Sequence, residues 1–177
     1  DVDSEEEFGE SVVVSSDGTT ALIGDAADET PNGDVAGSTS VFTQSGGTWS
    51  QQQKLTPTDG DIDNVFGSSV AVSSDGTTAL IGAFRDENQN GENAGSAYVF
   101  TESRGAWSQQ QKLTATDGDS QDRFGFSVAV LSDGTTALIG APTDVDPSEQ
   151  AAGSVYVFTE SGGTWSQQQK LTATDGD

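Results

Sequence analysis

The sequence predicts an all-β chain built from three copies of one four-stranded antiparallel unit. Three observations carry this. Every recognisable segment returns at one interval. Phe-Gly stands at Phe8-Gly9, Phe66-Gly67 and Phe124-Gly125, "SDGTTALIG" starts at Ser16, Ser74 and Ser132, and "WSQQQKLT" starts at Trp49, Trp107 and Trp165, each 58 residues after the last. Such uninterrupted periodicity marks a repeat architecture. The apolar residues fall in short alternating or branched runs bounded by Gly, Asp and Ser, which is the pattern of strands. Four such runs occur per period, and none of the chain reads as a helix.

In the middle copy the first run is "SSVAVSS", Ser68 to Ser74, with Val70 and Val72 alternating. Asp75-Gly76 reads as a two-residue hairpin turn whose positions both favour φ > 0. The second run, "TTALIGA" from Thr77 to Ala83, is apolar on both sides and belongs inside a sheet. A long polar loop follows. The third run, "GSAYVFT" from Gly95 to Thr101, is rich in aromatic and branched residues. A Gly-containing turn leads to "WSQQQKLT", read as the outermost strand, with its Lys guarding that edge against stray pairing. The repeat boundaries are 1–58, 59–116 and 117–174, with 175–177 opening a fourth copy. The chain starts at Asp1 with neither Met nor signal peptide, and so reads as a processed product or a piece of something longer.

A four-stranded meander must bury a face against neighbours. A radial array of such blades is the β-propeller solution, with about 40–50 residues per blade and about 4–8 blades to a closed ring. Blades of 58 residues carry long loops, and three blades leave two raw faces. Either further blades belong to the parent protein or chains associate, for example two chains making six blades.

The segments "RFGFSVAVLSDGTTALIGAP" (Arg123 to Pro142) and "GSVYVFTESGGTWSQQQKL" (Gly153 to Leu171) resemble an FG-GAP repeat. The defining residues are Phe124-Gly125 and Gly140-Ala141-Pro142; the other copies depart with Gly82-Ala83-Phe84 and Gly24-Asp25-Ala26. The resemblance implies a propeller like the head of integrin α chains and an extracellular role in adhesion or ligand recognition. Many members of the family bind Ca²⁺ through Asp-x-Asp-x-Asp-Gly in the first hairpin. The corresponding "SDGTT" here offers one carboxylate, Asp17, Asp75 or Asp133, so the chain resembles the shorter variety from secreted and surface proteins of bacteria and archaea.

Composition narrows the function. There are 29 acidic and 6 basic residues, a net charge of -23, and 32% hydrophobic residues. Nucleic acid and anionic membranes are excluded as partners by repulsion. Cations or a strongly screening solvent are favoured, and the acidic, Lys-poor composition matches proteins of salt-adapted prokaryotes. No run is long enough to span a membrane as a helix. With no Cys and no His, disulfides, thiolate chemistry and imidazole ligation are excluded, and no nucleophile–base pair of the Ser-His or Cys-His kind exists. Paired carboxylates could serve glycoside hydrolysis, but in so acidic a chain such pairs arise by chance. The chain is therefore read as no enzyme and as requiring no cofactor.

In a meander, the loop before the first strand and the loop between strands two and three leave the same end. All but five of the acidic residues (Asp17, Asp75, Asp133, Glu102, Glu160) sort to that end, with Arg85 and Arg123. Arg104 and the three repeated Lys sort with the hairpins and the outer strand. The long loops differ between copies, sharing length and a closing Ala-Gly-Ser, and function tends to sit on loops held by a rigid scaffold. Candidate Ca²⁺ ligands there are Asp59, Asp61 and Asp63, then Asp117, Asp119 and Asp122, with Asp1, Asp3 and Glu5 in the first copy. Oxygen clusters suit Ca²⁺, but solvated acidity is the plainer reading. The Phe-Gly pairs plug blade junctions, and Trp49, Trp107 and Trp165 pack. The resulting expectation is a secreted or cell-surface segment binding a protein or glycan ligand through an acidic loop face. The alternative is a building block that associates with other copies of itself, blade to blade.

Overall fold

A computed structural model of the chain describes residues 7–31, 35–60, 62–145 and 152–173. These described residues form twelve strands in three separate four-stranded antiparallel sheets. The first sheet orders β1 (Val12–Val14), β2 (Thr20–Asp25), β3 (Ser38–Ser45) and β4 (Thr48–Leu55). The second orders β5 (Ser69–Val72), β6 (Thr78–Ala83), β7 (Ser96–Ser103) and β8 (Ala106–Leu113), and the third β9 (Ser127–Val130), β10 (Thr136–Ala141), β11 (Ser154–Ser161) and β12 (Thr164–Leu171). The sheets stack face against face like propeller blades and do not close into a ring.

The alternation of each strand decides what lies between blades. Leu22, Val41 and Leu55 of the first sheet meet Phe66, Ala79, Ile81, Tyr98, Phe100 and Trp107 of the second in one buried cluster. Leu80, Val99 and Leu113 of the second meet Phe124, Ala137, Ile139, Tyr156, Phe158 and Trp165 of the third in another. At both junctions the earlier blade thus presents aliphatic side chains and the later one aromatic rings. Phe66 and Phe124 are fully buried in these junctions. The Phe66 N–H donates to Ala36 of the preceding blade at 3.0 Å, and the Phe124 N–H to Ala94 at 2.9 Å.

The first hairpin differs from the two-residue turn expected at Asp75-Gly76. Only Gly76 takes positive φ, 70°, and the turn spans Ser73 to Thr78. Asp75 is free of the left-handed conformation because its carboxylate organises the loop, accepting from the Ser73 hydroxyl at 2.6 Å and the Thr77 N–H at 3.1 Å. The same bonds hold Asp75 below the usual carboxylate range, the Ser73 hydroxyl contributing most. The second hairpin is the tight one: Gly46-Gly47, Arg104-Gly105 and Gly162-Gly163 all have φ between 56° and 86°.

The repeated octapeptide is stitching between blades. A bulge in each outer strand, at the shift between Val41 and Phe42 and its counterparts, leaves Gln52, Gln110 and Gln168 without a cross-strand partner. The next Gln reaches across to the outer edge of the following blade. Gln53 accepts the Trp107 N–H and donates to the Trp107 carbonyl, both at 2.9 Å. Gln111 treats Trp165 identically, again at 2.9 Å. Gln52 and Gln110 donate to the Gly105 and Gly163 carbonyls at 2.7 and 3.0 Å. An edge strand otherwise presents unpaired backbone groups, and here Gln, not Lys, covers them.

Candidate functional site

The Lys residues lie elsewhere than the sequence reading placed them. Each outer strand starts at the hairpin with Trp and runs the length of the blade, so Lys54 pairs with Ser40, Lys112 with Tyr98 and Lys170 with Tyr156, at the starts of the third strands. This is the long-loop end. Lys112 forms ion pairs with Asp86 at 2.8 Å and Asp59 at 2.9 Å, and its ammonium stands 5.3 Å from the Tyr98 ring centroid. Lys170 repeats this with Asp144 at 2.7 Å, Asp117 at 3.0 Å and the Tyr156 ring. Lys54 meets Asp28 at 2.5 Å. Three positive charges move to the acidic end and are consumed there.

Asp86 shows how the buried charge is tolerated. It is 1% exposed and also accepts from Asn64 Nδ2 at 2.8 Å, Ser96 Oγ at 2.6 Å and the Tyr98 hydroxyl at 3.3 Å. A buried carboxylate needs such satisfaction of its lone pairs besides a counter-ion. Burial disfavours the Lys112 ammonium, but Asp86 and Asp59 outweigh it and leave its pKa raised. Burial likewise opposes the Asp117 carboxylate, yet Lys170 holds it below the ordinary range. The sequence did signal this set: Asp28, Asp86 and Asp144 occupy the fourth place of all three long loops, the one acidic position that those otherwise unequal loops share.

The remaining candidate ligands are dispersed. Asp63 is exposed in a left-handed turn with φ 63°, and Asp122 is 2% exposed and accepts the Asp119 N–H at 2.6 Å. Asp61 and the first-copy candidates Asp1, Asp3 and Glu5 lie outside the described residues. Among the described residues no three His, Cys, Asp or Glu side chains are grouped to hold a metal ion.

Asp122 occupies the position of Asn64 one repeat later. Asn64 donates to Asp86, whereas an ionised Asp122 has nothing to give Asp144. Burial, then the charges of Asp144 and Asp119, push the Asp122 carboxyl up. A carboxyl with its folded-state pKa above the unfolded value destabilises the fold when ionised, and the penalty vanishes as pH falls through the folded-state value. Asp122→Asn is expected to stabilise the protein at pH 7 by about 1.5 kcal/mol, the lower end for a hydrogen bond to a charged group. The gain should shrink on acidification. Denaturant titrations at neutral pH and at about pH 4 check this, and a gain of equal size at both would sink the assignment.

Two clefts open at the same loop end, one where the first and second repeats meet and one among the loops of the second repeat. One, of about 470 Å³, is lined by Glu7, Glu10, Ala26, Ala27, Val35, Val65, Phe84 and Arg85. The other, of about 450 Å³, is lined by Ile62, Asp63, Asn64, Arg85, Glu87, Glu92 and Asn93. Arg85 divides them. It is exposed, makes no ion pair among the described residues, and carries its guanidinium 5.7 Å from the Phe84 ring centroid. Phe84 in turn meets Phe126 edge to face at 5.3 Å. Phe84-Arg85 has no counterpart in the other copies, which read Ala26-Ala27 and Pro142-Thr143. In the first cleft, burial and the charges of Glu7 and Asp25 raise the Glu10 carboxyl.

Of the residues singled out by the repeat, the second and third copies behave alike and the first does not. Trp107 and Trp165 are 5% and 3% exposed, whereas Trp49 is 42% exposed; Phe66 and Phe124 are at 0%, whereas Phe8 is at 55%. Gly67 and Gly125 lie against the preceding blade, where a Cβ would come within 2.3 and 2.1 Å of the Ser38 and Ser96 carbonyl oxygens; Gly140 and Ala141 are buried, and Pro142 is exposed.

Comparison with known proteins agrees with this architecture. The FG-GAP repeat family matches residues 49–100 and 107–158, each match running from an outer strand into the third strand of the next sheet. Integrin alpha-2 of Mus musculus is 32% identical over 127 residues, covering 65% of this chain and 10% of that protein. The chain thus spans about a tenth of that relative's length. A solved structure described as the crystal structure of the eukaryotic initiation factor superposes with a TM-score of 0.60 at 12% identity, over 98% of this chain and 34% of that one, and shows a shared fold. With two matched repeats and the junction-plugging Phe-Gly pairs in place, this chain belongs to the FG-GAP repeat family.

Proposed function

We propose that the segment is a non-catalytic recognition module of a secreted or cell-surface protein, binding a protein or glycan ligand through its acidic loop face. The observation that carries this is the pair of clefts flanking Arg85. They lie where the loops diverge, on a scaffold that otherwise repeats, and they combine an aromatic ring, a guanidinium that makes no ion pair among the described residues, and a rim of carboxylates. Ligand sites are commonly concave, with a few convergent polar groups. Similarity to an integrin α chain supports adhesion or ligand binding as the class of activity. The absence of His and Cys supports a module without catalysis. Among the described residues no helix is long and apolar enough to cross a membrane. The charge of -23 on an 18.2 kDa chain supports a salt-adapted prokaryotic source.

A peptide and glycan array probed with the chain, with Arg85→Ala and Glu10→Gln as loop-face variants and Arg104→Ala as a hairpin-face variant, tests the reading. Both loop-face variants should lose at least about tenfold in affinity for the selected ligand, a loss of ~1.4 kcal/mol, and Arg104→Ala should bind as the parent does. Equal binding by all four proteins would overturn the loop-face assignment.

A further inference from the structure

We infer that the hairpin end of the junction between the second and third sheets holds a second binding site, for a single saccharide ring, independent of the clefts flanking Arg85.

The site begins with a departure from the repeat. The first hairpin reads Ser15-Ser16-Asp17 in the first copy and Ser73-Ser74-Asp75 in the second, but Leu131-Ser132-Asp133 in the third. The Ser15 and Ser73 hydroxyls donate to Asp17 and Asp75 at 2.5 and 2.6 Å. Leu131 has no hydroxyl to give. Asp133 accepts from Thr135, the N–H at 3.0 Å and the hydroxyl at 2.8 Å, both on Oδ1. Its Oδ2 has no donor among the described residues. Glu160 is in the same condition: Oε1 accepts the Gly163 N–H at 2.6 Å, and Oε2 is left over among the described residues.

Both carboxylates line a cleft of about 250 Å³ between the two sheets, with Thr78, Thr101 and Gln110 on the second sheet and Trp165 on the third. The walls are tied to each other within the chain. The Ser74 N–H donates to the Ser132 carbonyl at 3.1 Å, Gln110 Nε2 to the Gly163 carbonyl at 3.0 Å, and the main-chain N–H of Trp165 to Gln111 at 2.9 Å. The cleft is therefore formed in advance of any ligand, which lowers the cost of binding.

Trp165 supplies an independent sign. It is 3% exposed, and its indole Nε1 is buried with no hydrogen-bond partner. A buried donor left unpaired is costly and calls for an acceptor. The spare carboxylate oxygens call for donors. A metal ion or an ammonium group satisfies the carboxylates but not the indole. An anion satisfies the indole but is repelled by Asp133 and Glu160. A hydroxyl group does both, accepting at its oxygen and donating its proton. Several hydroxyls on one compact frame are the chemistry of a saccharide. The size agrees: drug-sized ligands fill about 300–1,000 Å³, and this smaller cleft takes one ring.

Chemical-shift titration of the isotope-labelled chain tests this. Trp49, Trp107 and Trp165 give separate indole N–H signals. Glucose, galactose, mannose and N-acetylglucosamine are added one at a time, and CaCl₂ in a parallel series. At least one sugar should shift the Trp165 indole signal saturably in the millimolar range and leave those of Trp49 and Trp107 in place. Trp165→Phe keeps the ring and removes the N–H; followed at the Gly134 and Gly163 amides, it should weaken that sugar ~tenfold, and Glu160→Gln at least ~threefold. Trp107→Phe and Arg85→Ala should bind it as the parent does. Trp165→Phe should also unfold at no less urea than the parent, because it removes an unpaired donor. A Trp165 indole signal that no sugar moves overturns the inference and leaves only water in the cleft. So does a signal moved by Ca²⁺ and by no sugar, and so does sugar binding lost with Arg85→Ala, which assigns the sugar to the loop face. Failure here leaves the loop-face reading standing, since that reading is tested by other variants at the opposite end of the blades.

Discussion

Gly82→Ala is expected to pry the second and third sheets apart at a cost of about 3 kcal/mol, the upper end for overpacking. The added methyl would lie 2.0 Å from the Gly125 carbonyl oxygen and 2.2 Å from Ser69 Oγ. The hydroxyl can rotate, but the carbonyl is backbone, held by the Gly125 N–H donating to Gly140 at 3.1 Å. The neighbour cannot give without shifting the Phe124 ring out of its seat. Repeat arrays behave as nearest-neighbour chains, so damage at one junction should stay there. Hydrogen exchange should show loss of protection in β9 to β12 while β1 to β4 keep theirs. The control is Gly140→Ala, where the only close group is the Ser127 hydroxyl, which can rotate away, and the cost should stay under about 1 kcal/mol. Equal destabilisation by the two substitutions, or protection lost evenly along the chain, would disprove the junction account.

The sequence exposed whatever depended on period and alternation. Val70 and Val72, the branched run at Leu80-Ile81 and the aromatic run at Tyr98 to Phe100 are local signals, and the strands stand where they were read to within two residues. The FG-GAP resemblance was visible for the same reason: its residues serve the scaffold and recur with it. What stayed hidden was long-range and polar. The contacts of Gln53 with Trp107 and of Gln111 with Trp165 join residues 54 apart, and no local pattern announces that an amide will cover a neighbour's edge. Lys112 was assigned to the wrong end because an eight-residue strand carries its last residues the full length of the blade.

The acidic loops hid the site in plain composition. Among so many carboxylates, Asp86 looks like solvent-facing charge, yet it is buried on Lys112, Asn64, Ser96 and Tyr98. Only its recurrence with Asp28 and Asp144 separates it from neighbours that vary. Asn64 and Asp122 illustrate the converse, a repeat position whose change by one atom type converts a donor into a repelled charge. Arg85 and Phe84 were legible only as departures from the repeat, which is the mark of a residue the scaffold does not require.

Phe66→Ala should cost about 3–5 kcal/mol, the range for truncating a fully buried ring, whereas Phe8→Ala in the same chain should cost under about 1 kcal/mol. Both are the Phe of a Phe-Gly pair. Phe66 is wholly buried, meets Tyr98 at 5.4 Å and Phe100 at 6.0 Å edge to face, and closes the first junction cluster over Leu22, Val41 and Leu55. Phe8 is 55% exposed and meets one ring, Phe42, at 6.3 Å. Removal of Phe66 leaves a cavity between rigid sheets that backbone bonds on both sides prevent from collapsing, so the loss should approach the upper figure. Thermal and urea unfolding of the two variants measure the difference. Equal losses would mean that the motif stabilises its own blade and not the junction.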